Sequence, residues 1–83
     1  MEVARLPGGI SIQQYYRDHN PPHFHAIQGD EEVLLSIADL SVYRGSLNRS
    51  ALAAVCAWAN DRRGQLALNW IRAMQQMSIE RIP

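Results

Sequence analysis

The sequence predicts a small α+β domain, an antiparallel sheet of three to four strands followed by two helices packed on one face. Three observations predict it. The first half alternates with a period of two, as in Val33, Leu35 and Ile37. After Leu47 the apolar residues recur at helical spacing instead, as in Leu52, Val55, Cys56 and Ala59. Glycine and proline clusters punctuate the first half where strands would turn. The 83 residues fit one domain, residues 1–83, with no internal repeat and no low-complexity segment.

The elements follow in order. A turn at Pro7-Gly8-Gly9 opens a strand from Ile10 to Tyr16. Arg17 to Pro22 is a polar connection; Asn20 and Pro21 each precede a proline and are pushed away from helical geometry. His23 to Gln28 reads as a second strand, Gly29-Asp30 as a hairpin turn, and Glu31 to Ala38 as a third strand. Val42 and Tyr43 suit a short strand ending at Gly45. Asn48 or Ser50 caps a helix running to about Arg62. Arg62-Arg63 favours that helix's C-terminus, and Gly64 is expected to stop it. A second helix from about Gln65 to Gln76 carries an inward stripe of Leu66, Trp70, Ala73 and Met77. The tail from Ser78 to Pro83 is expected as an edge strand anchored by Ile79 and Ile82. Trp58 and Trp70 read as core or rim packing, and Cys56 as a small buried hydrophobe.

Composition limits the function classes. The chain is 47% apolar and 19% charged, so a folded core is expected. Eight arginines balance eight acids, and there is no lysine. Zero net charge argues against strong non-specific binding to nucleic acid, which sums many phosphate contacts. No apolar run approaches the ~20 residues that span a bilayer. The N-terminus shows no secretory leader pattern. The single Cys56 makes neither an internal disulfide nor a four-thiolate metal site. A reducing, cytoplasmic location is the expectation.

Chemistry concentrates in Asp18-His19-Asn20-Pro21-Pro22-His23-Phe24-His25, which holds all three histidines of the chain. On one strand, His23 and His25 share a face with Cα atoms roughly 6.6 Å apart, and Phe24 points to the other. Three readings follow. In the first, His19, His23 and His25 bind a divalent metal such as zinc, with bonds of ~2.0–2.1 Å and a fourth position open. Asp18, Glu31 or Glu32 then supports a ligand or adds one. In the second, the histidines act as acid and base without metal. Asp18 orients His19, Arg17 or Arg44 stabilises a phosphoryl transition state, and Tyr15 or Tyr16 assists. That is the toolkit of a small ribonuclease. In the third, the segment is a rigid corner or a partner-binding surface. The imidazole nitrogens discriminate: convergence within ~4–5 Å favours a shared metal, whereas bonds to loop backbone favour the structural corner.

This segment, together with Ile10-Ser11-Ile12, Tyr15-Tyr16, Gly45, Leu47, Ala51-Leu52, Trp58-Ala59, Asn69-Trp70 and Ile79-Glu80-Arg81-Ile82, resembles the domain-of-unknown-function 4160 family of small, mostly bacterial proteins. The resemblance spans nearly the whole chain. Where family members often carry Lys and Glu in the helical half, this chain carries Arg, Ala and Gln. The resemblance implies a cognate partner, a small protein of the domain-of-unknown-function 2442 type from a neighbouring gene, in a toxin–antitoxin-like pair. It transfers no catalytic residue.

Two functions are therefore expected. One is a protein-binding module of such a pair, with homo-oligomerisation through an exposed sheet edge as a variant. The other is a small His-dependent hydrolase or ribonuclease, metal-dependent or not. Its candidate catalytic residues are His19, His23, His25, Asp18 and Arg17, and its candidate metal ligands are His19, His23 and His25.

Overall fold

A computed structural model describes all 83 residues. Five strands lead the chain: β1 (Glu2–Leu6), β2 (Ile10–Gln13), β3 (His23–Gln28), β4 (Glu31–Ser36) and β5 (Val42–Gly45). Two helices follow, α1 (Arg49–Asn60) and α2 (Arg63–Met74). The strands form one antiparallel meander in chain order, so β3 is central and β1 and β5 are the edges. The fold is α+β, as the change of period predicts. The sheet has five strands rather than three or four.

The additional strand is β1. A bulge between Glu2 and Ala4 sends Val3 and Ala4 inside together, which breaks the alternation that would mark a strand. Gly29 makes the tightest hairpin. Its φ of 60° lies in the left-handed region that a two-residue turn between β3 and β4 requires.

Residues directly opposite one another share a face of the sheet. Ile12, Ala26 and Val33 align across three strands, and Phe24 aligns with Leu35. All are fully buried. They join one core with Ala51, Val55 and Ala59 of α1 and Leu66, Trp70 and Ala73 of α2. The helices therefore cover one face. The other face carries a second row, Gln13, His25, Leu34 and Arg44, and a third, Ser11, Ile27 and Glu32.

The helix boundaries shift from expectation. Asn48 caps α1, its side-chain oxygen accepting the Ala51 N–H at 2.9 Å. The break falls at Asp61–Arg62, and Gly64 lies inside α2 instead of stopping α1. Arg62 still serves the end of α1, donating to the Trp58 carbonyl at 2.9 Å with its guanidinium 5.2 Å from the Trp58 ring centre. α2 ends at Met74, so Met77 lies outside it and is exposed. Cys56 and Trp58 are half-buried at the core's margin.

The tail forms no strand. One backbone bond, from the Ile82 N–H to the Val3 carbonyl at 2.8 Å, ties it to β1, while Ile79 and Ile82 are buried. Asn69, buried in α2, does most of the fastening. It donates to the Glu80 carbonyl and accepts the Glu80 N–H, at 2.8 and 3.0 Å. It also donates to the buried Gln14 side chain at 3.1 Å, and Gln14 in turn donates to the Leu66 carbonyl at 2.9 Å. Sheet, helix and tail meet at this amide pair.

Two outcomes test this arrangement. Phe24→Ala is expected to lower the unfolding free energy by about 3–5 kcal/mol in a urea titration, since it empties the centre of the core. A change within about 0.5 kcal/mol, the range of surface substitutions, would contradict the packing. The second outcome concerns Glu2, whose carboxyl is held below its usual range, first by the Arg5 side chain and next by the Ser11 hydroxyl. A depressed folded-state pKa contributes stability above the unfolded value and loses it as pH falls through the folded one. Glu2→Gln should therefore flatten part of the acid limb of a melting-temperature profile and leave the neutral-to-alkaline slope unchanged.

Candidate metal centre

The site begins with the pleat of β3. Phe24 enters the core, which leaves His23 and His25 on the opposite side of the strand. His23 lies at the strand's start, where its ring is flanked by Tyr43 of β5 and Trp70 of α2, each at 5.3 Å between ring centres. Its side chain is fully buried. His25 lies on the open face, with the edge of Tyr15 at 4.6 Å.

Asp18 arrives from the connection between β2 and β3. Gln14 is locked to α2, and the Tyr16 hydroxyl donates to the Met77 carbonyl at 2.8 Å and accepts the Ile79 N–H at 3.1 Å. Arg17 then adopts φ 61°, a left-handed conformation uncommon for a residue with a side chain. This turn carries Asp18 back toward β3. The Pro22 carbonyl closes the connection by accepting the Ile37 N–H at 3.1 Å.

Each imidazole has one nitrogen already committed. His23 Nδ1 is 2.7 Å from the Pro21 carbonyl. A carbonyl only accepts, so Nδ1 carries the hydrogen and Nε2 keeps its lone pair. His25 Nδ1 is 2.9 Å from Glu32 Oε2, so that a hydrogen on Nδ1 is held by a carboxylate and leaves Nε2 with its lone pair. The remaining nitrogens both face one carboxylate oxygen, with His23 Nε2 at 3.1 Å and His25 Nε2 at 3.0 Å from Asp18 Oδ2. One donor atom from each of the three residues lies within 4.8 Å of the others.

These contacts leave one atom unsatisfied. With its hydrogen on Nδ1, a neutral His25 has no N–H for Asp18, and lone pairs on two nitrogens and one carboxylate oxygen converge; with it on Nε2, His25 donates to Asp18 Oδ2 at 3.0 Å. His23 Nε2 is buried and makes no hydrogen bond; Asp18 Oδ2 is near it but out of line. Burying an unpaired polar atom costs about 1–3 kcal/mol. A cation among the three atoms satisfies all of them. Metal–nitrogen bonds of about 2.0–2.1 Å put neighbouring ligand atoms about 3–3.4 Å apart, close to the two short separations seen.

Burial opposes ionisation of Asp18. The hydrogen bond with His25, the attraction of His23 in its protonated form and the His19 backbone N–H outweigh it, and its carboxyl is held below the usual range. Burial first, then the charges of Glu32 and Asp18, push the Tyr15 phenol up. It stays protonated and donates to Gln13 Oε1 at 2.6 Å.

The structure brings together two of the three histidines expected as ligands. His19 is mostly exposed; its Nδ1 is 3.6 Å from the other Asp18 oxygen, Oδ1, and its ring centre is 6.0 Å from that of His23, so it stands beside the convergence point rather than in it. Asp18 takes the third place. Arg17 is exposed and lines no part of the cleft; its contribution is the backbone turn. Glu31 turns away toward Asn48, leaving Glu32 behind His25. An open cleft of about 360 Å³ adjoins the site, lined by Asp18, His19, His25, Glu32, Leu34, Arg44 and Gly45. Residue types alone do not point to Leu34 and Gly45. The Gly29-Asp30 hairpin offers a signal for the first, because pairing counted back evenly from it sets Leu34 opposite His25.

No helix is long and apolar enough to cross a membrane. No curated protein and no solved structure matches the chain. Residues 9–71, which hold four of the five strands, both helices up to Ile71 and every residue of the convergence point, match the family described as Domain of unknown function (DUF4160). The chain belongs to that family.

Proposed function

We propose that the chain binds a divalent transition metal, with zinc as the reference ion, through Asp18, His23 and His25, and uses it in hydrolysis. The observation that carries the reading is the convergence of three lone-pair atoms whose imidazoles have their other nitrogens already engaged. Backing of a ligand histidine by a carboxylate or a backbone carbonyl is the usual support of a metal site. Two nitrogens and one carboxylate oxygen suit zinc, and equally other first-row divalent ions. Three protein ligands leave a position for water, whose proton a bound zinc makes easy to remove near neutral pH. With the metal bound, that water oxygen would add to the electrophilic centre of an ester, and the proton it gives up would pass to the departing alcohol. His19 stands at the rim of the cleft, placed to carry that proton.

A second reading, the protein-binding module of a toxin–antitoxin-like pair, is supported by a different surface. Leu68, Ile71 and Met74 on α2, with Met77 beyond it, are each about half exposed. Residues three apart are neighbours on a helix, so Leu68, Ile71 and Met74 form a row opposite the buried stripe. No acidic residue occurs from Arg63 to Met77. A partner for this row presents an apolar surface with an acidic rim. The neighbouring-gene protein of the 2442 type is the candidate. In co-expression with it, Ile71→Glu is expected to abolish the complex while zinc uptake is unchanged; a complex that survives the substitution counts against this surface.

The metal reading is tested by zinc titration and elemental analysis of the untagged protein. One equivalent is expected per chain. Asp18→Ala and His23→Ala should abolish stoichiometric uptake, Glu32→Gln should weaken it about 10–100-fold, and His19→Ala should leave it unchanged. Uptake should also weaken in acid, where protons compete for the imidazole lone pairs. Equal uptake by the Asp18→Ala protein would remove the reading. Hydrolysis of RNA and phosphoesters by the loaded protein, lost in His23→Ala, tests the catalytic half.

A further inference from the structure

Arg44 is the one arginine that lines the cleft beside the convergence point, and it makes no ion pair or side-chain hydrogen bond. Its place follows from register. His25, Leu34 and Arg44 align across β3, β4 and β5 on the open face. With strands about 4.8 Å apart, Arg44 starts about 10 Å from His25, across the apolar floor that Leu34 provides. A long, forked guanidinium spans much of that gap.

The strand that carries it is held close. Gly45 has φ 75°, and a Cβ there would collide with the Glu32 carbonyl. The Ser46 N–H donates to the same carbonyl at 3.0 Å. β5 is thereby pinned beside the residue that backs His25. Glu32 does not neutralise Arg44, because its carboxylate is engaged with His25.

Charge then selects the ligand. The carboxylates of Asp18 and Glu32 offset a divalent ion, which leaves the single positive charge of Arg44. Geometry selects further. An oxyanion held by both the ion and the guanidinium fork offers one oxygen to the metal and two to arginine. A carboxylate has two oxygens in all. A phosphodiester has a single negative charge on two terminal oxygens, and the tetrahedral phosphorus sets its two ester oxygens out of their plane, so one terminal oxygen can face the metal while the other and an ester oxygen face the fork.

We infer that the cleft takes a phosphodiester, held between the metal at Asp18, His23 and His25 and the guanidinium of Arg44; this rests on the metal reading. The identity of the alcohols on either side is set outside this contact.

The test uses the full chain loaded with zinc, with uptake measured before any ligand is added. Dimethyl phosphate and acetate are then titrated separately by calorimetry. Dimethyl phosphate is expected to bind, and Arg44→Gln to weaken it about 10–100-fold with zinc uptake unchanged, as for loss of charged hydrogen bonds. Arg44→Lys should restore only part of the affinity, because an ammonium lacks the fork. Unchanged dimethyl phosphate affinity in Arg44→Gln overturns the inference and leaves the metal reading standing. Acetate binding as tightly, with the same dependence on Arg44, overturns it in the same way. Failure to take up zinc overturns the metal reading and this one with it.

Discussion

The pleat of the central strand is the constraint on which the rest of the molecule depends. β3 has neighbours on both sides, and Phe24 and Ala26 are wholly buried beneath the helices. A slip of one residue would exchange the two faces, driving His25 into the core and Phe24 out of it. Burial of an aromatic side chain is worth several times the energy of one hydrogen bond, so the core sets the register. The two imidazoles inherit their spacing from it.

Asp18 needs a different kind of control, because it comes from a connection rather than a strand. The chain is fastened on both sides of it. Upstream are Gln14, bonded to α2, and Tyr16, bonded to the tail through both its donor and its acceptor. Downstream, Pro22 is bonded to Ile37. Between them Arg17 holds a left-handed conformation, and strain of that kind persists where the surroundings over-determine the backbone. The same Asn69 that donates to Gln14 also fastens Glu80. Helix, tail and loop therefore act together on the position of one carboxylate. A site held in this way starts near its working geometry.

This division explains what was legible beforehand. The alternation of His23, Phe24 and His25 announces its two faces directly, and the hairpin at Gly29-Asp30 announces the pairing that follows. The helices show in their period, though their junction does not. Gly64 resembles a stop, but the chain turns at Asp61–Arg62 and α2 tolerates the glycine in its first turn. β1 escapes because its bulge places Val3 and Ala4 inside together. His19 and Asp18 are adjacent, and nothing in their types says which one faces His23 and His25. A single φ at Arg17, set by contacts with residues some sixty positions away, decides it. Arg44 reaches the cleft through two successive strand pairings, a long-range consequence of register.

The fold is otherwise consistent in its polar accounting. Gln14 and Asn69, both buried, have partners for their amides. One buried side-chain polar atom lacks a partner, His23 Nε2. The position is flanked by Tyr43 and Trp70, surroundings in which an aliphatic side chain would pack without an unpaired atom. A core that satisfies its other polar groups and breaks the rule at one nitrogen, beside a carboxylate and a second imidazole, breaks it at a site rather than at random. The penalty is local. On the proposed reading a cation removes it, because the lone pair that lacks a donor in the folded chain is the one that a cation needs.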